Sequence, residues 1–119
     1  MINVEHHSGN QPFIELHLPA SYEGTDRGLT LTQLATVFDQ ALQLADSKDR
    51  TYGRAWSKQG WMGNFARLQS KMSRLRNMIW RDTPVEDGNE TVTDTALDFV
   101  NIAGFFIINR SEENRWGGN

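Results

Sequence analysis

Hydrophobic residues recur with helical spacing in three segments of the chain. In the first segment the apolar positions are Leu31, Leu34, Ala35, Phe38, Leu42 and Ala45. They form one stripe with a period near 3.6 residues. Thr30 as N-cap, with Gln33 three residues later, forms a capping box that is typical of a helix start. The pattern predicts a first helix over about residues 30–47. Asp39 and Asp46 lie off the stripe, and we expect them to be solvated.

The second and third segments predict two further helices. In the second, over about residues 64–81, apolar residues alternate at 3- and 4-residue spacing at Phe65, Leu68, Met72, Leu75 and Ile79. This spacing is typical of the seam of a helix bundle. The third, over about residues 90–109, is apolar around most of its circumference. Ala103 and Gly104 on it lack bulk and favour close approach by another helix.

The N-terminal 28 residues lack helical periodicity. Apolar and polar residues alternate from Phe13 to Leu18, which predicts a short strand with Ile14, Leu16 and Leu18 on one face. Because a lone strand is not stable in water, it should pair with a second copy or lie on the helices as an extended arm. We therefore predict an all-α protein, with an N-terminal arm (1–28), a three-helix domain (29–110) and a flexible polar tail (111–119).

Composition adds an expectation about assembly. The chain has 119 residues, only 38% of them hydrophobic, so we expect one domain that completes its bundle as a homo-oligomer, with the third helix at or near the interface. The absence of cysteine excludes disulfides and thiolate metal sites. The longest apolar run, Ile102 to Ile108, is far short of a membrane span, and the N-terminus has no signal pattern. No membrane is expected, and the predicted location is the cytoplasm.

Charge is segregated along the chain. From Arg50 to Arg81 there are eight Lys or Arg and no acid, whereas from Asp82 to Asn101 there are six acids and no base. The two segments should therefore fold against each other. The net charge of -3 gives no general attraction to nucleic acid, so direct nucleic-acid binding is not expected. The basic stripe is Arg67, Lys71 and Arg74, and the facing polar row is Glu90, Asp94, Asp98 and Asn101.

The acidic row has competing interpretations. Mg²⁺ prefers oxygen ligands and often shares them with substrate phosphates, which makes Glu90, Asp94 and Asp98 candidate metal ligands. Lys71 and Arg74 would then be catalytic, because they would neutralise charge developing on the phosphate. The structural alternative is a set of salt bridges to the basic helix. Like charges one turn apart destabilise a helix by about 0.2–0.5 kcal/mol per pair, so simple solvent exposure is the weakest interpretation.

The connection between the first two helices combines glycine, aromatic and basic residues from Tyr52 to Gly63. Aromatic rings bind flat ligands at low entropic cost, and cations pair with phosphate. The alternative is that Trp56 and Trp61 plug the core beneath a loop. The candidate nucleotide-binding residues of the chain are Tyr52, Arg54, Trp56, Lys58, Arg67 and Asn101.

Several of these residues also stand in a recognisable order. The order is Lys48, Tyr52-Gly53, Trp56, Gly60, Gly63, Arg67-Leu68, Lys71, Arg74-Leu75, Glu90, Asp94, Asp98 and Asn101. It resembles the nucleotide-modification-associated domain of bacteriophage genomes, over about half of the chain. The resemblance implies a small all-α scaffold and a nucleotide-handling role, which for a phage protein would be in the host cytoplasm.

The chain is also distantly similar to the MazG-like all-α nucleoside triphosphate pyrophosphohydrolases. These enzymes bind nucleotide through Mg²⁺ and carry acids at helical spacing on a late helix. Their first helix carries a Glu-Glu-x-x-Glu cluster, whereas the first predicted helix here offers only Asp39 and Asp46. With half of the metal cage absent, the similarity extends to nucleotide binding more readily than to hydrolysis.

Three functions are therefore open. The first is a nucleotide enzyme, either a Mg²⁺-dependent phosphohydrolase or an accessory of nucleotide modification. The second is a non-catalytic nucleotide-binding protein that sequesters its ligand. The third is a protein-interaction module that uses the basic helix. No Ser or His stands in a recognisable nucleophilic arrangement, so covalent catalysis is not expected.

Overall fold

The structure, a computed structural model, describes residues 11–53, 59–80 and 91–115. In these ranges the chain forms a 3-10 turn at Ala20–Tyr22 and three helices, α1 (Asp26–Tyr52), α2 (Gly60–Trp80) and α3 (Val92–Arg115). No strand is present in the described ranges. The prediction of an all-α protein with three helices is confirmed.

The chain divides into two compact units, residues 1–44 and 45–119. The division falls within α1, so about two turns of its C-terminal end belong to the second unit. In the first unit, residues 11–19 form neither helix nor strand. Burial alternates along them, because Ile14, Leu16 and Leu18 are half-buried while Glu15 and His17 are exposed.

The start of α1 lies four residues before the predicted one, at Asp26. The Thr25 hydroxyl accepts the N–H of Gly28 at 3.0 Å and donates to the carbonyl of Tyr22 at 2.6 Å, so Thr25 is the N-cap. A Cβ at Gly28 would collide with that carbonyl, so the turn requires glycine. The capping box predicted from Thr30 and Gln33 is wrong, since both lie inside the helix.

The end of α1 also lies beyond the predicted one, at Tyr52. Gly53 has a φ of +72° and donates its N–H to the carbonyl of Asp49 at 2.9 Å. A glycine in the left-handed region is a common way to end a helix. Tyr52 therefore belongs to the last turn of α1 and not to a loop. The extension also carries Lys48 within the helix.

Helices α2 and α3 pack against each other in antiparallel orientation. The Thr95 hydroxyl contacts the sulfur of Met78 at 3.8 Å, and at the other end Asn109 Nδ2 donates to Asn64 Oδ1 at 2.7 Å. Helix α2 begins at Gly60 instead of about residue 64. Helix α3 begins at residue 92 and continues to residue 115, so the predicted flexible tail is helical in its first part.

The buried side chains of α2 and α3 are mostly polar. They are Asn64, Thr95, Asp98, Asn101 and Ile102. By contrast, the predicted seam of α2 is half exposed, at 46% for Phe65, 52% for Met72 and 57% for Ile79. Within the part of the chain that the structure describes, the seam is therefore only about half covered at these three positions. The side of α2 that meets α3 combines polar residues such as Asn64 and Lys71 with apolar ones such as Trp61.

The apolar stripe predicted for α1 is also open at several positions. Leu34, Phe38 and Leu42 are exposed, whereas Ala35 is buried. On α3, the stretch Val92–Glu112 has the length and composition of a bilayer-crossing helix, and it is the one such stretch in the described ranges. A single helix of this kind is weak evidence for a membrane, because core helices pass the same criteria.

Candidate functional site

Three charged side chains from three helices converge in the second unit. Asp98 on α3 is only 3% exposed. Lys48 on α1 places its Nζ 2.8 Å from Asp98 Oδ2 and 2.7 Å from Oδ1. Lys71 on α2 places its Nζ 3.1 Å from Oδ2. Both contacts with Oδ2 are hydrogen bonds, and the contact with Oδ1 is an ion pair. We call these three residues the lysine–aspartate cluster.

The helix geometry explains why these side chains meet. The antiparallel pairing of α2 and α3 brings the middle of one helix opposite the middle of the other, where Lys71 meets Asp98. Their contact confirms that the basic and acidic helices pair at this position. Lys48 joins them from the turns of α1 that extend past residue 47, the predicted end. Sequence reasoning did not select Lys48, although it opens the motif order and lies one turn before Tyr52.

The cluster carries a net positive charge. A buried carboxylate is destabilising unless cations or hydrogen bonds compensate it, and two ammonium groups here pair with one carboxylate. The side chains of Lys48 and Lys71 remain 26% and 18% exposed, so solvent ions can approach the cluster. Arg67 and Arg74 lie one turn either side of Lys71 and are half-buried, and α2 contains no acidic residue. The surroundings on α2 are therefore basic.

The predicted metal ligands take different positions. The carboxylate of Asp94 accepts the N–H of Thr91 at 3.3 Å, and the Thr91 hydroxyl accepts the N–H of Asp94 at 3.1 Å. This reciprocal pair is a capping box at the start of α3. Asp98 is paired with two lysines, and Glu90 lies outside the described residues. Of the predicted row, therefore, one member caps a helix and one binds cations.

These two carboxylates do not fit a Mg²⁺ site as they stand. A divalent cation needs anionic or neutral oxygen ligands, and two ammonium groups already flank Asp98. In the described ranges no group of three or more His or acidic residues is placed to hold a metal. Magnesium binding stays a prediction.

The other candidate residues are distributed around the cluster. Tyr52 lies one turn after Lys48 on α1, and it is 67% exposed. Asn101 is buried on α3, one turn after Asp98. The candidates between the first two helices lie outside the described residues; they are Arg54, Trp56 and Lys58.

A second polar contact, which sequence reasoning missed, lies near the start of α2. Asn64 is fully buried and accepts a hydrogen bond from Asn109, while its own Nδ2 has no hydrogen-bond partner among the described residues. One turn earlier, Trp61 packs edge-on against Phe106 at 6.1 Å, and the guanidinium of Arg110 lies 4.7 Å from the centre of its ring. Trp61 therefore packs against α3 from the first turn of α2, where it is half-buried.

Comparison with protein-family models, curated proteins and solved structures finds no match for this chain. The two family resemblances therefore stay expectations.

Proposed function

We propose that the protein binds a nucleotide-class small molecule through its phosphate at the lysine–aspartate cluster. One observation carries the proposal: Lys48 and Lys71, from two helices, both lie within hydrogen-bonding distance of a single oxygen of Asp98. Lysine ammonium groups bind phosphate as point charges. Asp98 holds the two charges close together and leaves the group with a net positive charge, which suits a dianionic phosphate.

Tyr52 supports a nucleotide over a simple inorganic anion. Residues four apart on a helix are surface neighbours, so Tyr52 lies beside Lys48, and its ring is largely exposed. Stacking of a base on an aromatic side chain is worth about 1–3 kcal/mol. A nucleotide could therefore place its phosphate on the cluster and its base toward Tyr52.

The geometry favours binding without turnover. The alternative is a Mg²⁺-dependent phosphohydrolase that uses Glu90, Asp94 and Asp98. In that case Asp98 would have to exchange its two lysines for the metal, and Asp94 would have to leave its capping box. A protein that sequesters a nucleotide in the cytoplasm requires neither change.

Thermal-shift measurements separate these functions. The ligands are nucleoside mono-, di- and triphosphates, the matching nucleosides and inorganic phosphate, each with and without Mg²⁺. We expect a nucleotide to raise the melting temperature without Mg²⁺, since a ligand at 100 times its Kd stabilises the folded state by about 2.7 kcal/mol. Stabilisation only with Mg²⁺ would favour the phosphohydrolase. No stabilisation by any nucleotide would contradict the proposal.

Two variants with matched controls locate the ligand. Lys48→Gln should weaken binding of every phosphate ligand, whereas Arg50→Gln, an exposed change on the same helix, should not. Tyr52→Leu should weaken nucleotide binding at least fivefold but leave the binding of inorganic phosphate unchanged. The lost stacking energy of about 1–3 kcal/mol applies only to a ligand that carries a base. Trp80→Leu removes an even more exposed aromatic ring, from α2, and serves as its control.

A further inference from the structure

We infer that a second copy of the chain packs on the apolar side of α2, in a two-fold arrangement centred on Met72. This side, which we call the α2 face, consists of Phe65, Leu68, Met72 and Ile79 on α2 together with Phe99 on α3. A groove of about 420 Å³ runs along it between the two helices. The inference does not depend on the proposed nucleotide site.

The distribution of polarity in α2 is the first argument. The edge of α2 that meets α3 carries Asn64 and Lys71, which bind Asn109 and Asp98. The large apolar residues, at a seven-residue spacing from Phe65 through Met72 to Ile79, are about half exposed. Phe65 also contacts α3, where its ring centre lies 6.4 Å from that of Phe106. The part of the heptad seam that stays exposed is expected to pack against another helix.

The second argument is that the α2 face matches itself. In an antiparallel pairing about Met72, Phe65 of one copy meets Ile79 of the other, and the reverse contact is identical. Such reciprocity is what a two-fold interface requires. Arg76 of one copy then lies opposite Leu68 of the other. The two Arg76 side chains are separated by eight residues, or about 12 Å along the axis, so like charges do not meet.

The third argument is area. Helix α2 has 21 residues and a length of about 30 Å at 1.5 Å per residue. With α3 beside it at an interaxial distance of about 10 Å, the layer is about 20 Å wide. It offers on the order of 600 Å² to a partner, which is close to the low end of stable interfaces at about 600–1,000 Å² a side. A second layer of the same kind therefore suffices to cover it.

The oligomeric state in the absence of any nucleotide tests the inference. We expect light scattering to find a dimer at micromolar concentration for the wild type and a monomer for Met72→Glu. Ser70→Glu, an exposed change on the opposite side of α2, should remain a dimer. Circular dichroism of Met72→Glu should retain the helix content, so that loss of the dimer is not loss of the fold. A monomeric wild type, or a dimeric Met72→Glu, would overturn the inference.

Disulfide crosslinking gives a second measurement that does not require a charged variant. The chain contains no cysteine, so Met72→Cys introduces a single thiol at the two-fold axis. A disulfide requires Cα atoms within about 7 Å, a condition met only near that axis. We expect Met72→Cys to form a covalent dimer under mild oxidation and Ser70→Cys to remain largely a monomer on a denaturing gel. Equal crosslinking of the two variants would contradict the two-fold arrangement.

Discussion

Among the described residues, each of the two units buries one aspartate, and the two aspartates have different hydrogen-bond partners. In the first unit, Asp39 accepts the backbone N–H groups of Phe13 and Ile14 at 2.6 and 2.9 Å, and the amide of Gln43 at 2.6 Å. In the second unit, Asp98 is held by two ammonium groups. The donors to Asp39 are uncharged, so they do not offset its formal negative charge. At Asp98 two ammonium groups pair with one carboxylate, so the net formal charge of the group is positive.

The difference separates an aspartate that fastens a segment of the chain from one that belongs to the proposed binding site. Asp39 Oδ1 accepts two consecutive backbone N–H groups, and backbone groups removed from water need such partners. It therefore holds an extended segment to α1 without any strand. Asp39 was expected to be solvated, and that prediction is wrong, since the residue is 0% exposed. Asp98 instead pairs with Lys48 and Lys71, the two residues of the proposed phosphate site.

Reversing the charge of a lysine that pairs with Asp98 should have the largest effect on stability. Lys71→Glu would place a second carboxylate beside Asp98, and breaking a buried pair costs about 3–5 kcal/mol. We expect the free energy of unfolding to fall by about that amount in urea titrations. Arg50→Glu is the control, because its pair with Asp46 is exposed and surface pairs are worth about 0–1 kcal/mol. A change within about 0.5 kcal/mol for Lys71→Glu would place the lysine effectively in solvent.

Removal of the Asp39 carboxylate should destabilise the protein less, and mainly near residues 13 and 14. Asp39→Ala removes a charged acceptor, and hydrogen bonds to charged groups contribute about 1.5–3 kcal/mol each. We expect destabilisation of about 1.5–3 kcal/mol in total, because the released N–H groups of Phe13 and Ile14 can bind water instead.

The diagnostic measurement for Asp39→Ala is amide hydrogen exchange. The amides of Phe13 and Ile14 should exchange faster in this variant, while those in the middle of α3 keep their protection. Gln43→Ala should leave both amides protected, because Gln43 binds the other carboxylate oxygen. Unchanged protection of Phe13 and Ile14 in Asp39→Ala would show that the carboxylate does not fasten this segment.

Periodicity was sufficient to predict the three helices, but not their ends. Apolar spacing reports that a segment is helical, whereas the ends depend on single backbone contacts. Thr25 caps α1 because the chain turns back to Tyr22, and Gly53 ends it in a left-handed conformation. Neither contact corresponds to a repeating pattern in the sequence. The same spacing found the apolar seam of α2 but could not say whether its own chain covers it.

Contacts that depend on opposite charge could be predicted from the sequence, whereas contacts that depend on helix ends or on main-chain N–H groups could not. Opposite charge on successive helices predicted that Lys71 and Asp98 would meet. Lys48 was missed because its contact depends on the extra turns of α1. Asp39 was missed because its partners are main-chain N–H groups, which side-chain patterns do not reveal.

Asp94 tests whether the acidic row acts as a set or as separate residues. If it is a helix cap, Asp94→Ala should destabilise the protein by about 0.5–2 kcal/mol, as cap removal usually does, and Asp94→Asn should recover part of the loss. The shift should be the same with and without Mg²⁺. Destabilisation of the wild type by a chelator, absent in Asp94→Ala, would instead assign Asp94 to a metal site.

The smallest effect is expected at a third aspartate, which isolates burial from charge. Asp46 pairs with Arg50 one turn along α1 at 2.7 Å, as short as the shortest contact of Asp98, but its side chain is 43% exposed. Water screens such a pair, so helix pairs at this spacing contribute about 0.3–0.5 kcal/mol. Asp46→Ala should therefore change the unfolding free energy by about 0.5 kcal/mol or less. Adding 1 M salt should remove this difference, because the Debye length then falls to about 3 Å. A change as large as that of Lys71→Glu would show that pairing distance, and not burial, governs the lysine–aspartate cluster.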